Sequence, residues 1–379
     1  MRIAIVGAGP AGLYLAYLLK RGPLEAEVEV FEQNPPDATF GFGLVFSERA
    51  LEFLNEADPG TLAAIRPALE HWNDSILVHN GCEIRIDGMG YTGIGRLRLL
   101  QILQRQAASV GIAPKYLHPI DDLNACANAD LLVGADGVNS VVRRDCENLF
   151  GTTVTHLTNR FAWFGTGKKF AALTHTFVQT DLGHFNAHHH PHAPGMSTFV
   201  VEVDEPTFFR AGFDAMDGER AKAVCEEVFA DTLAGHGLVS NKSIWRQFPQ
   251  VWNEHCSVGN RVLVGDALHT AHFSIGSGTR LAMEDAIALA KALEQHAADI
   301  PGALTAYEEE RKPIVARLVA AANASAAWYE RFAEHMALAS MDFAMSYITR
   351  SGRVDLERLR RSSPAFVAAY EASHTGQSR

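Results

Sequence analysis

The sequence predicts an α/β fold in which a parallel-sheet domain is interleaved with an antiparallel-sheet domain and followed by C-terminal helices. Three observations lead there. Strand, turn and helix patterns occur in three separated stretches: at the start, from about Arg96 to Arg144, and from about Asn260 to Glu294. Between them, alternating runs such as Ser197-Thr198-Phe199-Val200-Val201-Glu202-Val203 read as strands of an antiparallel sheet. From Pro301 the period turns helical through Leu304, Tyr307, Ile314, Leu318 and Ala322. The expected division is therefore residues 1–70, 96–155 and 256–300 in one discontinuous domain and 71–95 with 156–255 in a second. A helical region follows over 301–379, its polar tail after about Ser351 expected to fray.

Composition bounds the function. With 379 residues and a hydrophobic fraction of 47%, the chain can enclose a cofactor within one large unit. A formal net charge of -11 argues against general affinity for nucleic acid or an anionic membrane, which need clustered Lys and Arg. The five cysteines are scattered and include no Cys-x-x-Cys pair, so neither a disulfide framework nor a zinc site is expected. Met1 runs straight into Ile3-Ala4-Ile5-Val6 without the features of a signal peptide, and no apolar run approaches the ~20 residues that span a bilayer. A cytoplasmic protein is expected, as monomer or homodimer.

The first motif is Gly7-x-Gly9-x-x-Gly12, with Pro10 and Ala11 inside it, after an apolar strand and at the start of a helix from Ala11 to Lys20. Glycines here permit the tight turn and close approach of backbone to a pyrophosphate, while the helix N-terminus offers unpaired N–H groups. A second strand, Val28 to Phe31, ends in Glu32 beside Gln33, where a carboxylate accepts hydrogen bonds from an adenosine ribose. Strand, turn, helix, strand and acid in order predict a Rossmann-like dinucleotide site. Glu32 would repel a ribose phosphate, which favours NAD or FAD over NADP as the bound nucleotide. The same spacing recurs at Gly88, Gly90 and Gly93, but after a half-exposed strand and with no acid at the required offset; it reads as a turn leading to the helix at Arg96. A third feature is the buried strand ending in Gly265-Asp266, followed by Gly276-Ser277-Gly278 and a helix to about Leu293. A carboxylate at a strand end can hold a polyol hydroxyl, and a glycine pair at a helix start can approach a flat ring.

Three segments together resemble the fingerprints of the single-component flavin aromatic hydroxylases, the p-hydroxybenzoate hydroxylase class: the Gly-rich turn, Gly134-Ala135-Asp136-Gly137 through Arg143, and Gly265-Asp266. The resemblance implies FAD as cofactor, NADH or NADPH as reductant and O2 as co-substrate, with the flavin carrying the hard chemistry and the protein supplying position and a dry cavity. It implies that Asp136 supports FAD and NAD(P)H binding, Asp266 contacts the ribityl chain, Gly276 and Gly278 line the isoalloxazine, Arg96 meets the pyrophosphate, and Gly43 belongs to the cofactor site. The stretch Thr39 to Ser47, and Phe273 where the family usually has proline, look like the hydroxylases of aryl-CoA thioesters and the tryptophan-derived hydroxylase of violacein biosynthesis. The implied substrate is a small electron-rich aromatic compound, and the resemblance to the thioester hydroxylases implies a CoA-linked one. The alternatives are a free indolic or phenolic intermediate, or an FAD-dependent reductase without oxygen insertion.

Weaker signals complete the set. His272, beside the flavin loop, could orient or deprotonate a ring substituent near neutral pH. Phe42, Trp163, His188 and Phe273 are candidates for the substrate wall. His188, His189, His190 and His192 do not read as a metal site, because alternate strand residues face opposite ways and Pro191 breaks the run. Lys168, Lys169 and Arg160 are candidates for meeting CoA phosphates.

Overall fold

A computed structural model describes residues 1–375 of the chain. Its first sheet grows around β1 (Arg2–Val6), apolar on both faces as only an interior strand can be. β1 pairs in parallel with β2 (Glu27–Phe31) on one side and β7 (Leu131–Gly134) on the other. β12 (Arg261–Leu263) joins β7 in parallel, and Ser257–Val258 closes the edge antiparallel. Helices α1 (Pro10–Arg21), α2 (Arg96–Ser109) and α3 (Gly278–Gln295) supply Leu13, Leu15, Leu103 and Leu289 to the core beside this sheet. The Gly-rich turn, the Asp136 loop and Gly265-Asp266 thus all leave the same end of adjacent parallel strands, where open α/β sheets bind ligands.

The second sheet has seven strands. Leu238–Ser240 lies at one edge, followed by β8 (Arg160–Thr166), β11 (Met196–Val203), β10 (Gly183–Ala193), β9 (Leu173–Thr180), β4 (Ser75–His79) and β5 (Cys82–Ile86). It is mixed rather than purely antiparallel, because β4 pairs with β9 in parallel. The β4–β5 hairpin reaches that edge from a distant part of the chain, so no tight turn dictates its direction.

Three further expectations are corrected. Residues 88–95 are not only a turn: after positive-φ Gly88 and Gly90 comes β6 (Tyr91–Gly95), pairing antiparallel with β3 (Gly43–Ser47) and with Glu70–Trp72. This small sheet crosses the expected boundaries at 70 and 95. Pro191 does not break its strand, since β10 continues through it with a register shift before Ala193. Pairing with β9 ends at His189, so the N–H that proline lacks is not missed on that side. The tail beyond Ser351 does not fray across the described residues. It forms helices at Leu356–Ser362 and Pro364–Thr375, burying Leu359, Phe366 and Val367 against Leu77, Ile84 and Ile86 of β4 and β5. The Asp87 carboxylate accepts the Phe366 N–H at 2.9 Å, which ties the last helix to the sheet.

The two faces of the large sheet differ. Phe164, Phe185, Phe199 and Val201 pack outward against Phe213, Phe229 and Leu233. Trp163, His188 and His190 point to the other side, towards β3, β6 and the loop before α3. The long helix α4 (Ile300–Tyr329) and α5 (Ser340–Thr349) bring Tyr329 and Tyr347 to the same region. Among the described residues no helix is long and apolar enough to cross a membrane.

Candidate active site

A cleft opens over the Gly-rich turn. Its cavity of about 210 Å³ is lined by Ala8, Gly9, Pro10, Glu32, Arg96 and, across from them, Thr279 at the start of α3. Gly7 sits at φ +105°, and a side chain there or at Gly12 would overlap neighbouring backbone, so those two glycines are required by the turn. Gly9 differs: a Cβ there meets nothing within 4 Å, so its bareness serves the cleft and not the fold. The N-cap residue Gly9 has no capping side chain and Pro10 begins α1, which leaves the first helical N–H groups free for an anion. Glu32 braces this loop by accepting from the Ala8 N–H and from the Asn34 N–H and side-chain amide, each at 2.8 Å. Gln33 points outward and is exposed.

Arg96 lines the same cleft, its guanidinium 4.9 Å from the Trp163 ring centroid, and makes no ion pair among the described residues. Burial pushes its pKa down, with the charge of Asp266 opposing that shift. Asp266 is reachable by solvent yet ringed by protein, and that enclosure raises its carboxyl. Asp136 accepts the Val141 N–H at 2.7 Å through one oxygen, while its Oδ1 is buried without a partner and burial raises its pKa. Gly276 takes the left-handed conformation at φ +60°, and Gly278 leaves open space where a side chain would stand. Gly43 has a packing reason, since a Cβ there would overlap His192 and Thr198.

Sequence reasoning missed two buried clamps on these loops. Asp285 accepts from the Gly265 N–H at 3.0 Å, from His269 Nε2 at 2.8 Å and from Arg311 Nε at 2.8 Å. These partners hold its carboxyl below the usual range although burial opposes them. Arg143 donates to the Ala267 carbonyl at 2.9 Å and to the Val138 carbonyl, joining the Asp136 loop to the Gly265 loop. The available signal was charge in apolar company, Glu284-Asp285 inside Leu281 to Ala290 and Arg311 one face away.

Beyond the cleft lies an aromatic wall. Phe161, Trp163 and His188 stand 4.8, 6.1 and 5.5 Å from the Phe273 ring. Phe42 lies on Gly165 of β8 and 6.4 Å from His192. The structure therefore brings Phe42, Trp163, His188, His272 and Phe273 to one side of the large sheet. His272 is 2% exposed and burial pushes its pKa down to about 3, which leaves the ring neutral near pH 7 and weakens it as a proton acceptor. His188 is likewise pushed down to about 3 by burial. His189 faces the opposite side, stacked on Phe199. The expected basic cluster turns away too. Lys168 donates to the Thr232 carbonyl and lies over Phe170 on the outer face, and Arg160 sits over Phe208.

Comparison with known proteins fits this geometry. The FAD binding domain family matches residues 100–322, and a NAD(P)-binding Rossmann-like domain matches residues 5–38. Salicyloyl-CoA 5-hydroxylase of a Streptomyces species is 40% identical over 93% of this chain and 70% of its own length. The chain belongs to the FAD-dependent aromatic monooxygenases. Protodeoxyviolaceinate monooxygenase of Chromobacterium violaceum is 34% identical over 92% of this chain and 94% of its own. Among solved structures, 2-methyl-3-hydroxypyridine-5-carboxylic acid oxygenase superposes with a TM-score of 0.71 at 18% identity, covering 94% of this chain and 98% of its own, a likeness of fold. This monooxygenase thus uses FAD, NAD(P)H and O2. The residues present fit FAD on three structural counts: bare backbone at Gly9 and Gly278, a cation in the cleft at Arg96 without an ion-pair partner among the described residues, and a carboxylate at Asp266 near enough for its charge to act on Arg96.

Proposed function

We propose that this monooxygenase hydroxylates an aryl-CoA thioester whose ring carries an OH or NH2 group, salicyloyl-CoA being the model substrate. The observation that carries the thioester is the 40% identity, across 93% of the chain, to a protein named salicyloyl-CoA 5-hydroxylase. Bound FAD, reduced by NAD(P)H, supplies insertion of one oxygen atom from O2 into an electron-rich ring. The protein holds the two partners in place. Ala11 and Gly12 offer helix N-terminal N–H groups to the pyrophosphate, Gly9 leaves room for it, Pro10 starts the helix without an N–H of its own, and Arg96 is the counter-charge. Glu32 keeps an Oε2 lone pair for the ribose after bracing the loop. Asp266 serves the ribityl chain, the Gly276 and Gly278 backbone approaches the ring system, and Asp136 and Gly43 shape the loops around it. Phe42, Trp163, His188 and Phe273 form a dry, aromatic enclosure for the substrate ring, and His272 orients it.

The test is direct. Purified FAD-loaded enzyme is given NADH or NADPH with salicyloyl-CoA, free salicylate or a free indolic acid, and nicotinamide oxidation and hydroxylated product are both measured. Salicyloyl-CoA is expected to stimulate oxidation with matching product. Stimulation by the free acids with none by the thioester would overturn the thioester reading.

A further inference from the structure

The loop that carries His272 is wired to the C-terminal helices. His272 Nδ1 lies 2.8 Å from Ser274 Oγ and accepts the Ser274 backbone N–H at 3.4 Å. Ser274 Oγ lies 2.7 Å from Ser325 Oγ near the C-terminal end of α4. Arg350, just past α5, donates through Nε to Ser325 Oγ at 2.9 Å and through Nη2 to the Ser274 carbonyl at 2.9 Å. Its guanidinium stacks 3.8 Å from the Tyr347 ring centroid and makes no ion pair among the described residues. Ser325 is fully buried, so its hydroxyl must spend its proton on a neighbour, while half-buried Ser274 has His272 Nδ1 as its nearest acceptor.

The donors fix the direction. A guanidinium can only donate, and so can a backbone N–H. Ser325 Oγ accepts from Arg350 and passes its proton to Ser274 Oγ, which in turn donates to His272 Nδ1. The longer Ser274 N–H contact, at 3.4 Å, supports the same role for Nδ1, an acceptor without a proton. The single proton of the neutral ring then resides on Nε2. That atom has no protein partner among the described residues, yet it is not one of the closed-off polar atoms, so it borders open space. The ring around it packs on Phe273 at 4.1 Å and Phe248 at 4.8 Å, within the aromatic wall.

We propose that Ser325 and Arg350 are positioning residues that set His272 as a fixed Nε2–H hydrogen-bond donor to the acyl carbonyl oxygen of the aromatic substrate. The substrate half of this statement rests on the thioester reading above. His272 then orients the ring through its carbonyl and takes no proton. A side chain remote from the substrate thereby governs how the ring meets the flavin, because a hydrogen bond made with the wrong tautomer cannot form.

The experiment uses FAD-loaded enzyme labelled with 15N-histidine. In the wild type the His272 resonances are expected to report a neutral Nε2–H tautomer between pH 6 and 8. Ser325→Ala is expected to convert that signal to a tautomer mixture and to cut hydroxylated product per NAD(P)H oxidised on the order of tenfold. Ser325→Thr, which keeps the hydroxyl, is expected to restore both, a rescue that merely filling space would not give. Arg350→Lys is the second probe if Ser325→Ala folds poorly, and it is expected to shift the tautomer in the same direction. A wild-type ring protonated on Nδ1, or a Ser325→Ala enzyme with unchanged tautomer and coupling, would overturn the proposal. The tautomer is read without substrate, so failure of the thioester leaves a separate and recognisable result.

Discussion

Two glycines two residues apart separate the demands of fold and ligand. Gly7 is held at φ +105° with the Ala135 carbonyl where a side chain would begin, so Gly7→Ala must displace the strand neighbour and cost folding. Gly9 has φ −72° and ψ −176°, which any residue adopts, and open space at its Cβ. Gly9→Ala should therefore change the stability of the flavin-free protein by less than about 0.5 kcal/mol, since surface changes without a special mechanism fall in that range. The same methyl group stands where the pyrophosphate must approach, and FAD affinity should fall at least about tenfold, the equivalent of about 1.4 kcal/mol. Urea unfolding of the apoprotein and a flavin fluorescence titration measure the two halves. A Gly9→Ala variant that binds FAD like the wild type would remove the Gly-rich turn from the cofactor site. At this scale local pattern suffices for local structure: the strand, Gly-rich turn and helix stand where the spacing puts them, and Glu32 at the end of the second strand braces that turn. It could not show the burial of His272, which pushes its pKa down to about 3, because the ring packs beside Phe248, Phe273 and Tyr329, the first and last of them distant in the chain.

Between elements, the Gly265–Asp266 turn owes its shape to α3 and α4. Asp285 on α3 holds the Gly265 N–H, His269 and Arg311 of α4 with one fully buried carboxylate. Removing one member of such a cluster leaves the others buried and uncompensated. Asp285→Asn should lower unfolding stability by about 3 kcal/mol, the size seen when a buried pair loses one partner. Because the released turn carries Asp266, flavin should also be lost more easily on dilution. Denaturant midpoints and the rate of flavin release check both, and a variant as stable as wild type would show that Glu284 alone can satisfy Arg311. Nothing in local pattern announces this clamp, since its three side chains come from separate elements and meet only after the helices dock. The same reason hid β6 and the packed tail: Gly93 looks like a turn residue until Pro191 of β10 is seen to occupy its missing side chain. Likewise Phe366 and Val367 look like a sparse tail until β4 and β5 supply the surface they cover.

Across the whole molecule, buried titratable groups set opposing limits on stability. Six histidines, His175, His188, His189, His190, His192 and His272, have pKa values depressed by burial, to about 3 or 4 where the shift is moderate. Below the ordinary histidine value of 6.5 the unfolded chain binds protons that the folded one does not, so stability is full above 6.5 and is lost as pH falls. Glu202 works the other way. Its carboxyl accepts from Asn159 at 2.9 Å through Oε1, while the buried Oε2 has no partner, and burial raises its pKa from 4.5 to about 8. Here the folded state holds the extra proton, so the contribution is full below 4.5 and lost as pH rises through 8. Between 4.5 and 6.5 the effects oppose: Asp136 and Asp266, whose carboxyls burial also raises, side with Glu202, and the six histidines outnumber these three carboxyls. The stability maximum should then lie near pH 6.5 to 7, with an alkaline limb falling by about 1.4 kcal/mol per pH unit up to pH 8. Glu202→Gln keeps the acceptor for Asn159 and removes the ionisation. It should flatten the alkaline limb and steepen the acid limb above pH 4.5, so that wild type and variant diverge steadily from about pH 4.5 to 8 in calorimetric or urea-unfolding series. Parallel curves over that range would mean that Glu202 is already ionised in the folded protein, and that its uncapped oxygen has found a partner.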